Sequence, residues 1–402
     1  MTDVVNKDNA GFGEFIALMA FIMCLVALST DTILPALPEM RHDLAVADVN
    51  DIQLTISVLF IGVATGQLIY GPMADVKGRR PTIFLGFFLF VIGSLVCYFS
   101  TSLEVMLVGR FLQGLGAAGP RIVTLAIVRD KYQGREMARV LSLIMTIFIL
   151  CPIIAPLLGQ GVLMVAGWRE IFALLLLLAV VAWLWFGFRQ PETLLPEQRT
   201  AFSYKAMSGS VKEVFQHRTS LCYITGLGFI FGSFIGFLNS VQQVLQELYA
   251  LGEAFPFYFA VLAAGLGLSS FINSKLVMRF GMRRLALSTL CYVAFISAVA
   301  VWVSLLAEGV PALWVIMLYF VQILFCMGLV FGNLNALSME PFGHIAGMAS
   351  GVVGALSTLI AVGVGTLVGQ AFNDTVIPLI TGFGVLGALS AIMTYMARTP
   401  QS

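Results

Sequence analysis

Charge is what this sequence has least of. Only 11% of its 402 residues are Asp, Glu, Lys or Arg, against about a quarter in soluble domains, while 59% are hydrophobic. A water-soluble core has no room for that much apolar surface, so a soluble globular fold is excluded and lipid must surround most of the chain. The charges that remain nearly cancel, 22 Lys and Arg against 21 Asp and Glu, and no basic tract marks a nucleic-acid partner. Histidine is scarce too. His42, His217 and His344 all fall between apolar stretches, which leaves no histidine relay inside a membrane. The six cysteines (Cys24, Cys97, Cys151, Cys222, Cys291, Cys326) are widely spaced, with no CxxC pair and no metal spacing. They are expected as buried free thiols, and no metal is expected. There is no glycine-rich phosphate loop, no nucleophile–base cluster and no sizeable polar segment to form a soluble domain. The chain is therefore not expected to be an enzyme or to use a cofactor. Its energy source is expected to be an ion or substrate gradient and not ATP.

What is present is a recurring apolar stretch of about 20 residues, enough to cross a hydrocarbon core roughly 30 Å thick. Such stretches fall near 15–36, 52–73, 82–100, 104–128, 138–165, 168–188, 220–246, 254–278, 284–306, 311–336, 345–371 and 376–396. The sequence predicts an all-α membrane protein of twelve transmembrane helices. The polar first dozen residues lead directly into the first apolar run, which reads as an uncleaved span and not a removable signal. The one long connection, 189–219, carries Pro191, Pro196 and several charges. It divides the chain into two expected six-helix bundles, 1–188 and 220–402.

Lysine and arginine fix the expected orientation. One set of loops holds Lys77, Arg79, Arg80, Lys131, Arg135, Arg189, Arg218, Lys275 and Arg283, among others. The opposite set holds only Arg41 and Arg169, together with Glu39, Asp43, Asp48, Asp51, Glu253, Glu308 and Asp374. These are called the basic and acidic ends below. The basic end is expected to be cytoplasmic, with both termini on that side. Trp168, Trp302 and Trp314 lie near the acidic ends of their spans, where indole favours the headgroup region. The two halves also echo each other: Gly78-Arg79-Arg80 follows the second span, and Gly281-Met282-Arg283-Arg284 follows the eighth. Transporters with paired six-helix halves hold substrate between the halves near the bilayer midplane.

Four segments carry a resemblance to a known family. Gly71-Pro-Met-Ala-Asp75-Val-Lys77-Gly78-Arg79-Arg80 resembles the signature loop of the major facilitator superfamily, with Met73 in place of the usual leucine and the basic residue displaced to Lys77. Ser29-Thr-Asp31-Thr-Ile-Leu-Pro35-Ala-Leu-Pro38 resembles the first span of its drug:proton antiporter branch. Arg110-Phe-Leu-Gln113-Gly114, continuing to Val128-Arg129-Asp130, resembles the fourth-span motif. Cys151-Pro152-Ile-Ile-Ala155-Pro156-Leu-Leu-Gly159-Gln160 is similar to the fifth-span antiporter motif, with Cys, Ala and Gln where glycines are usual. Together these look most like the bicyclomycin and chloramphenicol resistance (Bcr/CflA) group, over roughly residues 29–160. The resemblance implies two pseudo-symmetric bundles, proton-coupled drug efflux and a bacterial inner-membrane location.

Particular residues can then be weighed. Asp31 is the only acidic residue deep within a span of the first half, and an ionisable group at that depth is a functional candidate by default. Arg110 enters the fourth span to a similar depth, so the two are expected to meet, either as a proton-coupling pair or as a static helix tie. Arg121 lies eleven residues further on, nearly on the same helix face and about 16 Å deeper. It has no acidic partner at matching depth. Binding an anionic group on the substrate and binding helix carbonyls freed near Pro120 both remain open for it. Asn239, Gln242, Gln243 and Gln246 share one face of the seventh span, which is expected to line a cavity or a helix interface. Gln113, Arg121, Asn239, Gln242 and Asn335 are the candidate substrate-cavity residues. Pro152, Ala155, Pro156 and Gly159 suit a fifth helix that packs closely yet bends. The resemblance implies that Gly71, Asp75, Gly78, Arg79 and Arg80 form a conformational latch; a purely topogenic basic loop is compatible with it.

The expected function is export of small amphipathic drugs or related metabolites by proton antiport and alternating access. The expected partners are a small-molecule substrate, protons and the lipid bilayer, with the monomer as the working unit. An uptake symporter or uniporter on the same fold is the alternative within transport. A non-transporting membrane sensor is the alternative from another class.

Overall fold

The structure is a computed structural model that describes residues 11–199 and 204–397. The polar lead-in before the first span and part of the 189–219 connection lie outside the described residues. Among those described, every regular element is helical. The membrane helices are α1 (Phe12–Asp31), α2 (Leu54–Lys77), α3 (Arg79–Tyr98), α4 (Leu103–Lys131), α5 (Gly134–Leu163), α6 (Trp168–Arg189), α7 (Arg218–Gln242), α8 (Phe255–Phe280), α9 (Met282–Leu306), α10 (Leu313–Met339), α11 (Ala346–Gln370) and α12 (Ile377–Met396). α1 turns at Leu34–Ala36, where Pro35 ends the regular hydrogen bonding, and continues as the short helix Leu37–Asp43. α10 and α11 form one apolar helical run of 58 residues, Leu313–Gln370. At 1.5 Å per residue that run is about 87 Å, close to three hydrocarbon thicknesses, so it cannot be one span. The break falls at Glu340–Ile345, where Phe342 leaves helical geometry. With the ten other apolar segments this makes twelve spans, as the recurring apolar stretches predict.

The helices are apolar on every side, which is the mark of elements buried in protein on one face and lipid on the other. Large side chains such as Phe271, Phe295 and Leu367 are mostly exposed, while the packed interior is equally apolar. Within the first six helices α4 packs tightly on α2 and α3, and α1 on α5. In the last six, α7 packs on α11 and α12, and α9 on α12. Contacts of α2 with α11 and of α5 with α8 join the two sets. The surface helix Tyr204–Gln216, between α6 and α7, rests on α11.

Two expectations are corrected here. Cys24 on α1 and Cys151 on α5 are disulfide-bonded, with Cα atoms 6.1 Å apart, so the six cysteines are not all free thiols. They are separated by 127 residues, and no local spacing rule connects them. Of the remaining four, Cys97 and Cys326 are buried but Cys291 is exposed. Trp168 is no headgroup anchor. It is fully buried, and its indole Nε1 donates to Asp43 Oδ2 at 2.9 Å.

Candidate functional site

At the acidic end the start of α2 is stitched to α7 and α11 by amides and hydroxyls. Asn50 Nδ2 donates to the carbonyls of Gln370 and Phe372, 3.2 Å each, and Gln370 Nε2 returns a bond to Asn50 O at 2.9 Å. Gln243 Nε2 donates to Asn50 Oδ1 at 2.9 Å. One turn deeper, Ser57 Oγ accepts from Asn239 Nδ2 at 3.0 Å and from Thr366 Oγ1 at 2.8 Å. Gln53 Nε2 reaches Gln242 Oε1 at 3.4 Å. The amide stripe of α7 therefore lies at a helix interface. Asn239 and Gln242 are buried there and do not line the cavity described next. Asn50, Ser57 and Thr366, the other members of this network, were missed because short polar residues look unremarkable one at a time in a sequence.

Toward the basic end lies a cavity of about 490 Å³ between α2, α4, α10 and α11. Its polar lining includes Gln67, Asp75, Arg79, Arg121, Arg129 and Asn335. Arg121 and Asn335 both line this cavity. Arg121 is half-buried and has no hydrogen bond or ion pair among the described residues. It does not satisfy the helix carbonyls that were its other expected role. Gln67 was missed in the sequence, although an amide within an apolar span is itself a signal. Its Oε1 is buried without a partner among the described residues.

Asp31 and Arg110 are both buried, but the structure does not bring them together. Arg110 Nε donates to Thr55 O at 3.0 Å and Nη1 to Gln113 Oε1 at 2.7 Å, and the guanidinium lies 6.0 Å from the Phe172 ring centre. Gln113 passes the contact on, donating to Ser94 Oγ at 2.8 Å. Gln113 is therefore a core residue tying α3 to α4, away from the cavity. Among the described residues Asp31 makes no hydrogen bond and no ion pair, and it is the only buried carboxylate there.

Asp31 directly precedes Thr32, the residue at which α1 meets α5. A Cβ on Gly159 would stand 1.9 Å from the Thr32 carbonyl oxygen, so only glycine lets the two backbones approach this closely. Ala155 and Pro156 are buried beside it, and Pro152 and Pro156 lie within a continuous α5. Eight residues separate Cys24 from Thr32, and eight separate Cys151 from Gly159. The two helices are thus parallel and in register at both contacts.

The basic loop between α2 and α3 is a closed charge network. Arg79, nearly buried, pairs with Asp75 (Nη1–Oδ1 2.5 Å) and with Asp130 at the end of α4 (Nε–Oδ2 3.0 Å). Glu192, after α6, accepts from the backbone N–H groups of Arg79 and Arg80 at 2.9 and 3.0 Å, so a carboxylate caps the N-terminus of α3. Arg80 donates to the Gly187 carbonyl. Gly78 makes the turn at φ 105°, a conformation that side-chain-bearing residues rarely adopt. Asp75 Oδ2 would lie 3.6 Å from a Cβ on Gly347, in the first turn of α11, and a Cβ on Gly71 would lie 3.7 Å from the Gly347 carbonyl oxygen. The loop therefore reaches across to the other half of the molecule. Glu192 was the unseen member, because it stands more than a hundred residues from the motif.

Comparisons with known proteins agree with this architecture. The Major Facilitator Superfamily profile matches residues 19–366. The Bacillus subtilis protein named "Uncharacterized MFS-type transporter YdgK" is 31% identical over 362 residues, covering 89% of this chain and 88% of its own length. A bicyclomycin resistance protein homolog of Haemophilus influenzae is 26% identical, with 97% of each chain covered. A chloramphenicol resistance protein of Pseudomonas aeruginosa is 29% identical, covering 86% of this chain and 81% of its own. Among solved structures, the E. coli xylose transporter XylE in a partially occluded inward-open conformation superposes with a TM-score of 0.74 at 14% identity, covering 96% of this chain and 97% of that one.

Proposed function

Because this multi-pass membrane protein belongs to the major facilitator superfamily, we propose that it is a proton-coupled antiporter exporting small amphipathic drugs or related metabolites. The observation that carries this reading is the asymmetry of the pathway. The acidic end is sealed between the halves, while the cavity lies toward the basic end. With the basic end in the cytoplasm, as its lysines and arginines favour, that cavity takes up substrate from inside the cell. Both termini then lie in the cytoplasm, and the membrane is the bacterial inner membrane. The relatives named for bicyclomycin and chloramphenicol resistance support the same direction of transport.

In this reading residues 1–188 and 220–402 move as two units, rocking at the α2–α11 and α5–α8 contacts. The seal consists of neutral hydrogen bonds worth about 0.5–1.5 kcal/mol each. A seal of a few kcal/mol is within what a ligand with about 10⁴-fold preference for one state can overturn. The Asp75–Arg79–Asp130 network and its contact with α11 hold the opposite end in one state. Asp31 supplies the proton step. It can take up or release a proton without first breaking an ion pair, and it sits against the α1–α5 contact, where small changes in helix separation alter its hydration. The monomer contains every element of this cycle.

Everted membrane vesicles carrying a pH-sensitive dye test the proposal. Chloramphenicol added to energised vesicles should release protons only when the chain is present. Retained chloramphenicol binding without any proton release would favour a sensor, and proton entry together with substrate in right-side-out vesicles would favour a symporter.

A further inference from the structure

The strongest unassigned feature is the electrostatic imbalance of the basic-end cavity. Among its lining residues are three arginines, Arg79, Arg121 and Arg129, and a single carboxylate, Asp75. That carboxylate is committed to Arg79, which also holds Asp130. Arg129 is exposed at the rim. Arg121 is therefore the uncompensated charge within the cavity, with no hydrogen bond or ion pair among the described residues. It projects from α4 about 16 Å beyond Arg110, whose Nε and Nη1 donate to Thr55 and Gln113. A guanidinium presents several donors in a planar fork that matches a carboxylate or phosphate, and an unpaired one held among transmembrane helices is costly. Gln67 Oε1, buried and without a partner, adds an acceptor for a donor group on the same molecule. The volume of about 490 Å³ is in the range that holds one drug-sized ligand.

We propose that Arg121 is a specificity residue that gives the cavity a preference for substrates carrying an anionic group beside an apolar body. The inference rests on the exporter reading above and narrows its substrate class. It also accounts for an arginine that the signature motifs do not include. The anion is drawn in by the excess of arginines at the cavity and paired by Arg121. A neutral molecule of the same shape gains only the apolar contacts.

A matched pair of probes isolates the charge: chloramphenicol, which is neutral, and chloramphenicol succinate, the same scaffold with an added carboxylate. Their affinities are measured calorimetrically on the full-length purified chain and on Arg121→Gln and Arg121→Lys. Wild type should prefer the succinate by about tenfold or more, the effect of one charge-assisted hydrogen-bonded contact. Arg121→Gln should bring the ratio of the two affinities close to one, and Arg121→Lys should keep part of the preference. Because the readout is a ratio on one scaffold, partial loss of folded protein cancels. A wild-type ratio at or below one, a ratio unchanged in Arg121→Gln, or no binding of either probe overturns the inference. Proton-driven export of chloramphenicol with no preference for the succinate overturns this inference alone. An Arg121-dependent preference with no proton-driven movement of either probe overturns the exporter reading and leaves the anion site standing.

Discussion

An ionisable residue inside an apolar span is legible in sequence, because its cost in lipid demands a reason. Asp31, Arg110 and Arg121 all stand out this way, and all three are enclosed by protein or line the cavity. Their partners were not legible. Sequence position gives depth along a helix, but the direction in which a side chain points depends on how neighbouring helices pack around it. Asp31 and Arg110 are at similar depth, yet Arg110 turns toward Thr55 on α2 and its own i+3 neighbour Gln113. Arg110→Ala should therefore act as a core mutation. It leaves Gln113 Oε1 and the Thr55 carbonyl without these donors, at a cost of about 1–3 kcal/mol. A lowered melting temperature in detergent checks this, and Gln113→Ala should lower it in the same direction. An unchanged melting temperature in Arg110→Ala would show that the buried guanidinium is not a structural tie.

Helices were the easiest elements to read and helix contacts the hardest. Apolar length alone located all twelve spans, and α10 and α11 were separable because Pro341 and Gly343 interrupt the run. The α1–α5 contact was hidden, since Cys24 and Cys151 are distant in sequence and glycine has no side chain to advertise a close approach. Gly159→Ala should push the Thr32 carbonyl away and cost about 1–3 kcal/mol in overpacking strain. Gly161→Ala, two residues on, meets open space and should leave stability unchanged or raise it by up to about 1 kcal/mol. Thermal melting of the two variants side by side tests whether contact at Gly159, and not helix propensity, sets the effect. The basic loop makes a different kind of prediction. Asp75→Asn keeps the shape of the side chain but weakens its pairing with Arg79, so transport should fall several-fold while expression and the binding of neutral chloramphenicol persist. Wild-type turnover in Asp75→Asn would reduce the loop to an orientation signal.

At the scale of the whole molecule, composition was sufficient for the class and the basic–acidic asymmetry for an orientation. The conformational state was beyond the sequence. Nothing in the spacing of Asn50, Ser57, Asn239 and Gln243 says that they meet, because the acidic-end seal exists only when two halves of the chain come together. Orientation is open to a simple check. Ser208 is exposed on the surface helix, so Ser208→Cys should escape a membrane-impermeant thiol reagent in intact cells and react once the cells are opened. Efficient labelling in intact cells would reverse the orientation and, with it, the direction of transport. The coupling itself is tested most directly in liposomes reconstituted with wild-type protein or Asp31→Asn and given an imposed pH gradient. Wild type should accumulate chloramphenicol against its concentration gradient, on the side from which protons flow. Asp31→Asn, similar in shape but unable to exchange a proton, should bind the drug yet only equilibrate it. If Asp31→Asn still builds a drug gradient from the proton gradient, Asp31 is not the coupling group and the proposed mechanism fails.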